Sequence, residues 1–489
     1  MPSNDPIIIG IDAGTSVIKA VAFELSGRQI AAASARNQYT MGDDGSATQP
    51  LDRTWSDCVS ALRGLVEKVN DLAARTAAIG VTGQGDGTWL VGSGNVPVGD
   101  AWLWLDARAA STVSRLNGHP YNRARFEATG TGLNTCQQGP QLAHMDRYMP
   151  ELLDRAETAL HCKDWLYLNL TGVRATDPSE ASFTFGNFRT RQYDSSGGAE
   201  GETGLGAGTP VCLGYVDMVM TALGAGVRTA GQNAACSTIG STGVHMRAKA
   251  VSDVQLNAEG TGYVIALPIP GIVTQVQTNM GATINIDWIL QIAADLMSEA
   301  GKPVAASDLI SRIDTWFAES RPGSILYHPY VSEAGERGPF VNAHARAGFT
   351  GLSIRHGFPD LVRAVVEGLG MATRDCYAAM GDMPLELRMT GGAARSRALR
   401  QSLSAAISAP VRISERQEAG AAGVAMMAAV AIGAYATMDD CIAEWVTPLL
   451  GEAEAPDAEQ ARRYDRLFPA YLDVRQAIAP AWDKLATQP

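Results

Sequence analysis

Short apolar runs separated by polar turns mark the start of the chain. Residues 7–12 form an apolar run, residues 14–16 a polar turn and residues 17–23 a second apolar run, which together predict a β-hairpin. Apolar side chains then recur at helical spacing over residues 55–69, before another apolar run at residues 78–81. The pattern predicts strand, strand, helix and strand, with a polar loop after each strand.

The rest of the chain repeats this pattern. Residues 210–214 predict a strand that leads into a helix over residues 217–226, and residues 236–246 predict another strand, loop and strand. A helix is predicted over residues 360–380, and a strand at residues 386–390 precedes a glycine turn. The repetition predicts two similar α/β halves.

Length and composition also favour two domains. The chain has 489 residues, of which 46% are hydrophobic, and a single core rarely grows so large. We place the boundary near residue 247, which gives domains of residues 1–247 and 248–489 with a cleft between them. Residues 195–202 are rich in serine, glycine and glutamate, and this composition predicts an exposed loop.

Charge and cysteine content exclude several classes of protein. The chain carries 39 Lys and Arg against 51 Asp and Glu, with no basic run that could follow a phosphodiester backbone, so we expect no nucleic-acid partner. Its 7 cysteines lie scattered without a CxxC pair, which is typical of reduced, structural cysteines. We find neither a signal-peptide pattern nor an apolar stretch of membrane-spanning length, and therefore expect a cytoplasmic protein without membrane contact.

The turn of the first predicted hairpin carries candidate phosphate chemistry. Asp12 supplies a carboxylate at a strand end, and Gly14, Thr15 and Ser16 follow it, with Lys19 in the next strand. Successive backbone N–H groups in such a turn can hold phosphate oxygens, and the carboxylate can hold a metal ion. The segment lacks the GxxxxGK[ST] pattern of a P-loop and leads into a strand. An ordinary β-turn with a capping aspartate is the alternative.

Two further loops could complete a nucleotide site. The turn of the second hairpin could grip a polyphosphate from the opposite side of a cleft, or form a plain surface turn; it contains Gly240, Ser241 and Thr242. The segment 390–396 ends a strand and starts a helix, so its amides could bracket an adenosine and its α-phosphate. Its candidates are Gly391, Gly392, Ala393 and Ser396. For the Ala- and Gly-rich segment 418–423, tight helix packing is the favoured interpretation.

Asp217 is the candidate catalytic base. It follows the apolar run at residues 211–213 and opens a helix of small residues, so its carboxylate can face a cleft and accept the proton of an attacking hydroxyl group. Phosphoryl transfer asks little more of a protein than positioning, charge neutralisation and such a base. The alternative is that Asp217 only caps its helix.

Polar and aromatic residues after the strand at residues 78–81 suit a polyhydroxy ligand. Gln84 and Asp86 follow it closely, and Trp104 and Asp106 come further along. Carboxylates and amides can bind vicinal hydroxyl groups, while an aromatic face covers the C–H side of a sugar or polyol. Core packing is the alternative for Trp104. Arg108 ends the same polar segment, and a structural salt bridge is the alternative to ligand binding for it.

Taken together, these segments resemble the FGGY carbohydrate kinases. The resemblance covers residues 7–475, and its most specific part is the segment 347–367, which fits the second signature of that family. Its other parts are residues 10–16, Lys163-Asp164-Trp165, Thr176-Asp177, Asp217, Gly335-Glu336-Arg337-Gly338-Pro339 and Gly391-Gly392. The resemblance implies a two-domain α/β fold of the actin and hexokinase type, which is ribonuclease H-like, with a cleft between the domains.

The same resemblance implies a kinase that uses ATP and Mg²⁺ and phosphorylates a small polyol. It implies that Asp217 is the base and that Asp12 holds Mg²⁺ through water, and we add Asp217 as a second metal candidate. The nucleotide-binding candidates are Gly14, Thr15, Ser16, Lys19, Gly240, Ser241, Thr242, Gly391, Gly392, Ala393 and Ser396. The substrate-binding candidates are Gln84, Asp86, Trp104, Asp106, Gln137, Gln138 and Asp217. A homodimer is a further expectation from the family.

The loop at residues 84–89 bears on the substrate. Its sequence, Gln-Gly-Asp-Gly-Thr-Trp, differs from the matching motifs of xylulose and glycerol kinases, and with residues 11–19 and 214–218 it resembles the erythritol-phosphorylating branch of the family. We therefore expect transfer of the γ-phosphate to a terminal hydroxyl of erythritol. Glycerol, xylulose, ribulose or another small polyol is the alternative, and a nucleotide-gated binding protein without catalysis is the alternative of another class. The chain departs from the family near Gln141 and in a shorter loop after Tyr193.

Overall fold

The computed structural model describes residues 5–120, 122–184, 186–190, 198–199, 209–227, 234–416 and 418–486. The loop predicted at residues 195–202 and the shorter loop after Tyr193 lie, apart from residues 198–199, outside the described residues. We refer to residues 5–227 as the first half and to residues 234–486 as the second half.

Strands and helices are interspersed along the described residues. The strands are β1 (Ile7–Ala13), β2 (Val17–Glu24), β3 (Gln29–Arg36), β4 (Thr40–Met41), β5 (Ala47–Gln49), β6 (Thr76–Gly83), β7 (Trp89–Val91), β8 (Ala101–Trp102), β9 (Thr158–Leu160), β10 (Gly198–Ala199), β11 (Thr209–Leu213), β12 (Ala234–Ile239), β13 (Gly243–Ala250), β14 (Tyr263–Ala266), β15 (Ile272–Asn279), β16 (Leu326–His328), β17 (Gly348–Thr350), β18 (Glu386–Thr390) and β19 (Val411–Ile413). The α-helices are α1 (Leu51–Val66), α2 (Leu72–Arg75), α3 (Ala110–Asn117), α4 (Asn122–Thr129), α5 (Gln138–Tyr148), α6 (Pro150–Arg155), α7 (Cys162–Thr171), α8 (Pro178–Thr184), α9 (Asp217–Gly224), α10 (Thr283–Glu299), α11 (Ala306–Leu309), α12 (Ile313–Glu319), α13 (Phe358–Ala378), α14 (Arg397–Ile407), α15 (Ala419–Ala431), α16 (Met438–Trp445) and α17 (Ala458–Ala486).

Two six-stranded sheets share one arrangement. The first has the order β10, β11, β6, β1, β2, β3, and the second has the order β14, β15, β13, β12, β18, β19. In the first, β1 pairs antiparallel with β2 and parallel with β6; in the second, β12 pairs antiparallel with β13 and parallel with β18. Each half therefore contains a hairpin beside a parallel strand, which confirms the prediction of two similar α/β halves.

Helices cover both faces of the first large sheet. In β1, Ile7, Ile9 and Ile11 pack with side chains of α1 and α7, whereas Ile8 packs in the cluster that contains α9 and α15. Alternate side chains of a strand point to opposite faces, so a strand covered on both sides is apolar at successive positions, as this one is. In the second half, α10, α13 and α14 pack against one another and the sheet.

Helix α15 comes from the second half in sequence but packs on the first sheet, against β1, β6 and α9. The backbones approach so closely that a side chain at Gly10 would overlap the Ala421 carbonyl, and one at Gly423 would overlap the Met220 carbonyl. Glycine removes the Cβ atoms that would hold the elements apart. The tight packing predicted for residues 418–423 is thereby confirmed.

The domain boundary predicted near residue 247 falls inside β13. Because β12 and β13 pair with β18 and β15, both strands belong to the second sheet. We therefore propose that the boundary lies before β12. Of the helices that the structure describes, none is both long and apolar enough to cross a membrane.

Candidate active site

A cavity of about 320 Å³ lies between the two halves, where β6 and β12 end. Six of the predicted site residues line it: Thr15, Gln84, Asp86, Trp104, Asp217 and Thr242. Lining residues that the sequence analysis did not assign to a pocket include Asn134, Cys136, Thr221, Thr238, Tyr263 and Arg337. Polar groups from both halves therefore converge on one space, as in small-molecule sites.

The first hairpin places a half-buried carboxylate next to this cavity. Asp12 lies opposite Lys19 in the register of β1 and β2, and Lys19 Nζ forms a 2.8 Å salt bridge with Glu418 Oε2. Burial raises the pKa of Asp12 to about 6, with Lys19 lowering it and Glu418 raising it further. A Cβ atom at Gly420 would overlap Asp12 Oδ2, so the start of α15 leaves room for this carboxylate only because residue 420 is glycine.

The turn after Asp12 is fixed by hydrogen bonds. The Gly14 N–H donates to the Val17 carbonyl at 3.1 Å, and Asn37 Nδ2 donates to the Gly14 carbonyl at 3.0 Å. Ser16 is exposed at the tip of the turn. Small residues and a rigid turn leave the backbone open to a phosphate group.

A chain of side-chain hydrogen bonds connects this turn to the cavity wall. Trp104 Nε1 donates to Thr15 Oγ1 at 2.9 Å, and Thr15 Oγ1 donates to Gln84 Oε1 at 2.8 Å. Gln84 Nε2 in turn donates to Gln49 Oε1 at 2.8 Å. The indole of Trp104 is thereby held at the cavity, and its polar edge is already satisfied, which leaves the ring as the surface a ligand can contact.

Asp86 lines the cavity and carries an acceptor without a partner. Its Oδ1 atom is buried and has no hydrogen-bond partner, while Oδ2 lies 3.4 Å from the hydroxyl of Tyr263. Burial raises its pKa. The backbone at Asp86 has a φ of 57°, a left-handed conformation that few non-glycine residues adopt. A buried, unpaired acceptor in a strained loop is typical of a binding site.

Asp217 lies on the cavity wall as the first residue of α9. Val216 occupies the N-cap position, and Asp217 Oδ1 accepts from the adjacent Met218 amide at 2.6 Å. Burial, with the charge of Asp12 as the second cause, raises the pKa of Asp217 to about 7. A carboxylate with this pKa can both lose and accept a proton near neutral pH.

A buried chain of polar groups holds the backbone just before Asp217. The Val216 N–H donates to Ser179 Oγ at 3.0 Å, and the Ser179 hydroxyl and amide both donate to Asp177 Oδ1, the amide at 2.8 Å. Asp177 Oδ2 lies 2.5 Å from Lys163 Nζ, and both side chains are fully buried. The motifs Lys163-Asp164-Trp165 and Thr176-Asp177 pointed to this region, but no sequence signal pointed to Ser179.

The second hairpin loop faces the first across the cavity. Thr242 lines the cavity, whereas Gly240 and Ser241 are exposed. The Ser241 carbonyl accepts from the Ala282 amide at 2.7 Å, and the Gly240 carbonyl accepts from the Thr283 amide at 3.0 Å. These bonds tie the loop to the start of α10.

The glycine turn after β18 lies beside the same hairpin but outside the cavity lining. Gly391 has a φ of 92°, and a Cβ atom there would come 2.8 Å from the Ile239 carbonyl oxygen. Gly392 is exposed and opens on free space. Ser396 Oγ accepts the Leu399 amide at 3.3 Å as the N-cap of α14, a structural role that the sequence analysis did not foresee.

Comparison with known proteins assigns the family. The N-terminal domain model of the FGGY family of carbohydrate kinases matches residues 7–199, and the C-terminal domain model matches residues 235–432. The chain belongs to the FGGY family of carbohydrate kinases. An erythritol kinase from Brucella abortus (strain 2308) is 71% identical to this FGGY kinase over 515 aligned residues, which cover 100% of this chain and 99% of that protein.

More distant relatives agree with the fold. A xylulose kinase from Escherichia coli (strain K12) is 26% identical, covering 96% of this chain and 99% of that protein. Two solved structures superpose closely. A gluconate kinase from Lactobacillus acidophilus has a TM-score of 0.88 at 20% identity, covering 98% of this chain and 99% of that one. A xylulose kinase from Rhodospirillum rubrum has a TM-score of 0.86 at 23% identity, covering 98% of this chain and 100% of that one. The predicted two-domain kinase fold is thus confirmed.

Three predicted substrate residues of this FGGY kinase do not reach the cavity. Both Asp106 oxygens are used inside the first half, because Oδ2 accepts from the Ala47 amide at 2.9 Å and from Arg108 at 2.6 Å. Arg108 therefore forms a structural salt bridge with Asp106, which was the alternative for this residue. Gln137 Nε2 donates to the Gly132 carbonyl and Gln138 Nε2 to the Leu160 carbonyl. Asp106, Gln137 and Gln138 stay predictions from the sequence, and none of them belongs to the cavity lining.

Four residues that were not among the predicted substrate residues line the cavity. Asn134 and Cys136, shortly before Gln137, line the cavity, and Arg337 and Tyr263 line it from the second half. Arg337 lies in the Gly-Glu-Arg-Gly-Pro segment that carried part of the family resemblance, so a signal was present for it. Nothing in the sequence around Tyr263 set it apart from a core tyrosine.

Proposed function

We propose that this FGGY kinase transfers the γ-phosphate of ATP to a terminal hydroxyl of erythritol, giving erythritol phosphate. The proposal for the substrate is supported by the relative that is 71% identical along the whole chain and carries the name erythritol kinase. The observation that carries the reaction is that Asp217 and Asp86 line one cavity between the two halves.

The site residues divide the work of such a transfer. The Asp86 carboxyl group accepts a hydrogen bond from a substrate hydroxyl, and Trp104 covers the C–H side of the polyol. Asp217 accepts the proton of the attacking hydroxyl, for which its pKa near 7 is suited. The turns at Thr15 and Thr242 hold the phosphates from opposite sides. Approach of the two halves excludes water, so that ATP is not hydrolysed instead.

Mg²⁺ fits the carboxylates beside the cavity. The described residues contain no group of three or more potential metal ligands, but Mg²⁺ is usually held by one or two carboxylates together with phosphate oxygens and water. Asp12 and Asp217 are half-buried carboxylates whose pKa values are both raised, and the charge of Asp12 contributes to the shift at Asp217. They would hold the ion, which when bound supplies positive charge to the phosphates.

The remaining assignments complete the proposal. Gly391, Gly392 and Ala393 remain the adenosine-binding candidates, and Lys19 contacts phosphate only if it leaves its salt bridge with Glu418. A cytoplasmic location and a homodimer remain predictions from the sequence.

Mass spectrometry of the products formed from ATP and a mixed pool tests the function. The pool contains erythritol, glycerol, xylulose and ribulose, and we expect the monophosphate of erythritol to dominate. A dominant monophosphate of another member would transfer the proposal to that substrate. ATP binding without any phosphorylated product would favour the non-catalytic alternative.

A further inference from the structure

Tyr263 connects the second half of the protein to the substrate end of the cavity. It is the first residue of β14, the edge strand of the second sheet, and its side chain is 9% exposed. Its hydroxyl oxygen lies 3.4 Å from Asp86 Oδ2 and 3.6 Å from Cys136 Sγ, both in the first half. The contact therefore spans the two halves at a carboxylate that carries an unpaired buried oxygen.

The direction of this hydrogen bond is fixed by charge. Burial, followed by the neighbouring charge of Asp86, raises the pKa of Tyr263 well above 10. The phenol therefore keeps its proton and donates it to Asp86 Oδ2. The Cys136 thiol is a second hydrogen-bonding neighbour of the same carboxyl group.

The loop that carries Asp86 is closely packed by its neighbours. A Cβ atom at Gly85 would overlap Val216 Cγ2 and come within 3.3 Å of Glu180 Oε1. One at Gly87 would come 2.5 Å from the Trp102 carbonyl oxygen. Because the backbone is packed on both sides of Asp86, the orientation of its carboxylate depends on what contacts the side chain itself.

We propose that Tyr263 is a specificity-determining residue, which holds the Asp86 side chain in place at the cavity so that its carboxyl group receives a hydroxyl group of the polyol. The proposal rests on the proposed function, because it needs a polyol in the cavity. A site built to bind a hydroxyl group discriminates strongly against an analogue without it, so a fixed carboxylate favours erythritol over the shorter glycerol. The 3.4 Å separation exceeds the usual length of about 2.7 Å for such a bond, and approach of the halves shortens it.

Kinetics of Tyr263→Phe test the proposal. The substitution removes one oxygen atom and keeps the ring, and Tyr330→Phe is the matched control, since the Tyr330 hydroxyl bonds to that of Tyr471 at 3.2 Å, outside the cavity lining. We expect Tyr263→Phe to raise the KM for erythritol about tenfold, the effect of losing one hydrogen bond to a charged group. The change in kcat is expected to stay below about threefold, and the erythritol to glycerol ratio of kcat/KM to fall about tenfold. Tyr330→Phe is expected to leave the KM, the kcat and the erythritol to glycerol ratio unchanged.

A double-mutant cycle with Asp86→Asn separates this role from general packing. If Tyr263 acts through Asp86, the double variant has nearly the KM of Asp86→Asn alone, because without the charged carboxylate the position that Tyr263 maintains no longer matters. Independent, multiplying effects, or an unchanged KM in Tyr263→Phe, would overturn the proposal. If the wild-type enzyme phosphorylates a different polyol or ketose, the proposed function fails, while the same cycle measured on that substrate still decides the role of Tyr263.

Discussion

Replacing Asp217 by asparagine should abolish catalysis and stabilise the protein at the same time. The substitution keeps the shape of the side chain and removes its charge. As the proposed base, Asp217 accounts for a factor of about 10² to 10⁴ in kcat, the usual contribution of a general base. ATP binding should persist, because the phosphate-binding turns are unchanged. The two effects have opposite signs, so a variant that is merely damaged cannot reproduce them.

The expected stabilisation follows from the pKa of Asp217. Burial, with the charge of Asp12 second, raises it from 3.8 to about 7. Between these values the folded protein binds a proton that the unfolded chain has lost, so the free energy of unfolding falls as the pH rises. The penalty reaches about 4 kcal/mol above pH 7 and is small below pH 4. Asparagine still has to bury an amide, so we expect a net gain of about 2 kcal/mol.

Thermal melting at two pH values, in chelator and without nucleotide, measures this gain. The Asp217→Asn variant should melt a few degrees above the wild type at pH 8. The difference between the two melting temperatures should be smaller at pH 5. Asp52→Asn serves as the control, because Asp52 is exposed in the first turn of α1, where its charge favours the helix. That variant should show no gain at either pH.

Two outcomes would refute the reasoning. Equal melting temperatures for Asp217→Asn and the wild type at both pH values would mean that the carboxylate is not desolvated in the folded protein. Turnover of erythritol above about a tenth of the wild-type rate would exclude Asp217 as the base, since loss of a general base costs at least about a hundredfold.

Two further substitutions test the surroundings of the site. Gly420→Ala should lower kcat about a hundredfold in a coupled assay of ADP release, because its Cβ would displace the Asp12 carboxylate. The control Gly348→Ala, where a Cβ meets no atom within 4 Å, should leave kcat unchanged. An equal loss of kcat in both variants would contradict the prediction. Ser179→Ala should lower kcat about tenfold with the KM for ATP unchanged, because the backbone amide before the proposed base loses its acceptor. The control Ser402→Ala removes an equally buried hydroxyl outside the cavity lining, and a kcat as low as that of Ser179→Ala would show that position 179 has no special role.

The sequence predicted the elements better than the side chains around the cavity. The hairpin β1–β2, the pair β12–β13 and the helices α9 and α13 follow from apolar spacing and turn residues, which act locally. The placement of Gln84, Asp86 and Trp104 at the cavity also agrees with the sequence analysis. These residues lie directly after strands or in the motif that carried the family resemblance.

The placement of Asp106 and Tyr263 was not predicted from the sequence, for one physical reason. Asp106 sits two residues from Trp104, yet its carboxylate points into the first half because the Ala47 amide and Arg108 satisfy it there. Tyr263 reaches Asp86 across a sequence separation of 177 residues. Contacts between distant segments depend on how the two sheets pack, and neither periodicity nor motif spacing records that packing.

The position of α15 has a consequence for synthesis of the protein. One face of the first sheet is covered by a helix that spans Ala419–Ala431, more than two hundred residues after the last strand of that sheet. A nascent chain emerging from the ribosome therefore exposes this apolar face until the helix has been translated. We expect a fragment that stops before β12 to aggregate when expressed alone and to become soluble when a fragment carrying α15 is co-expressed with it.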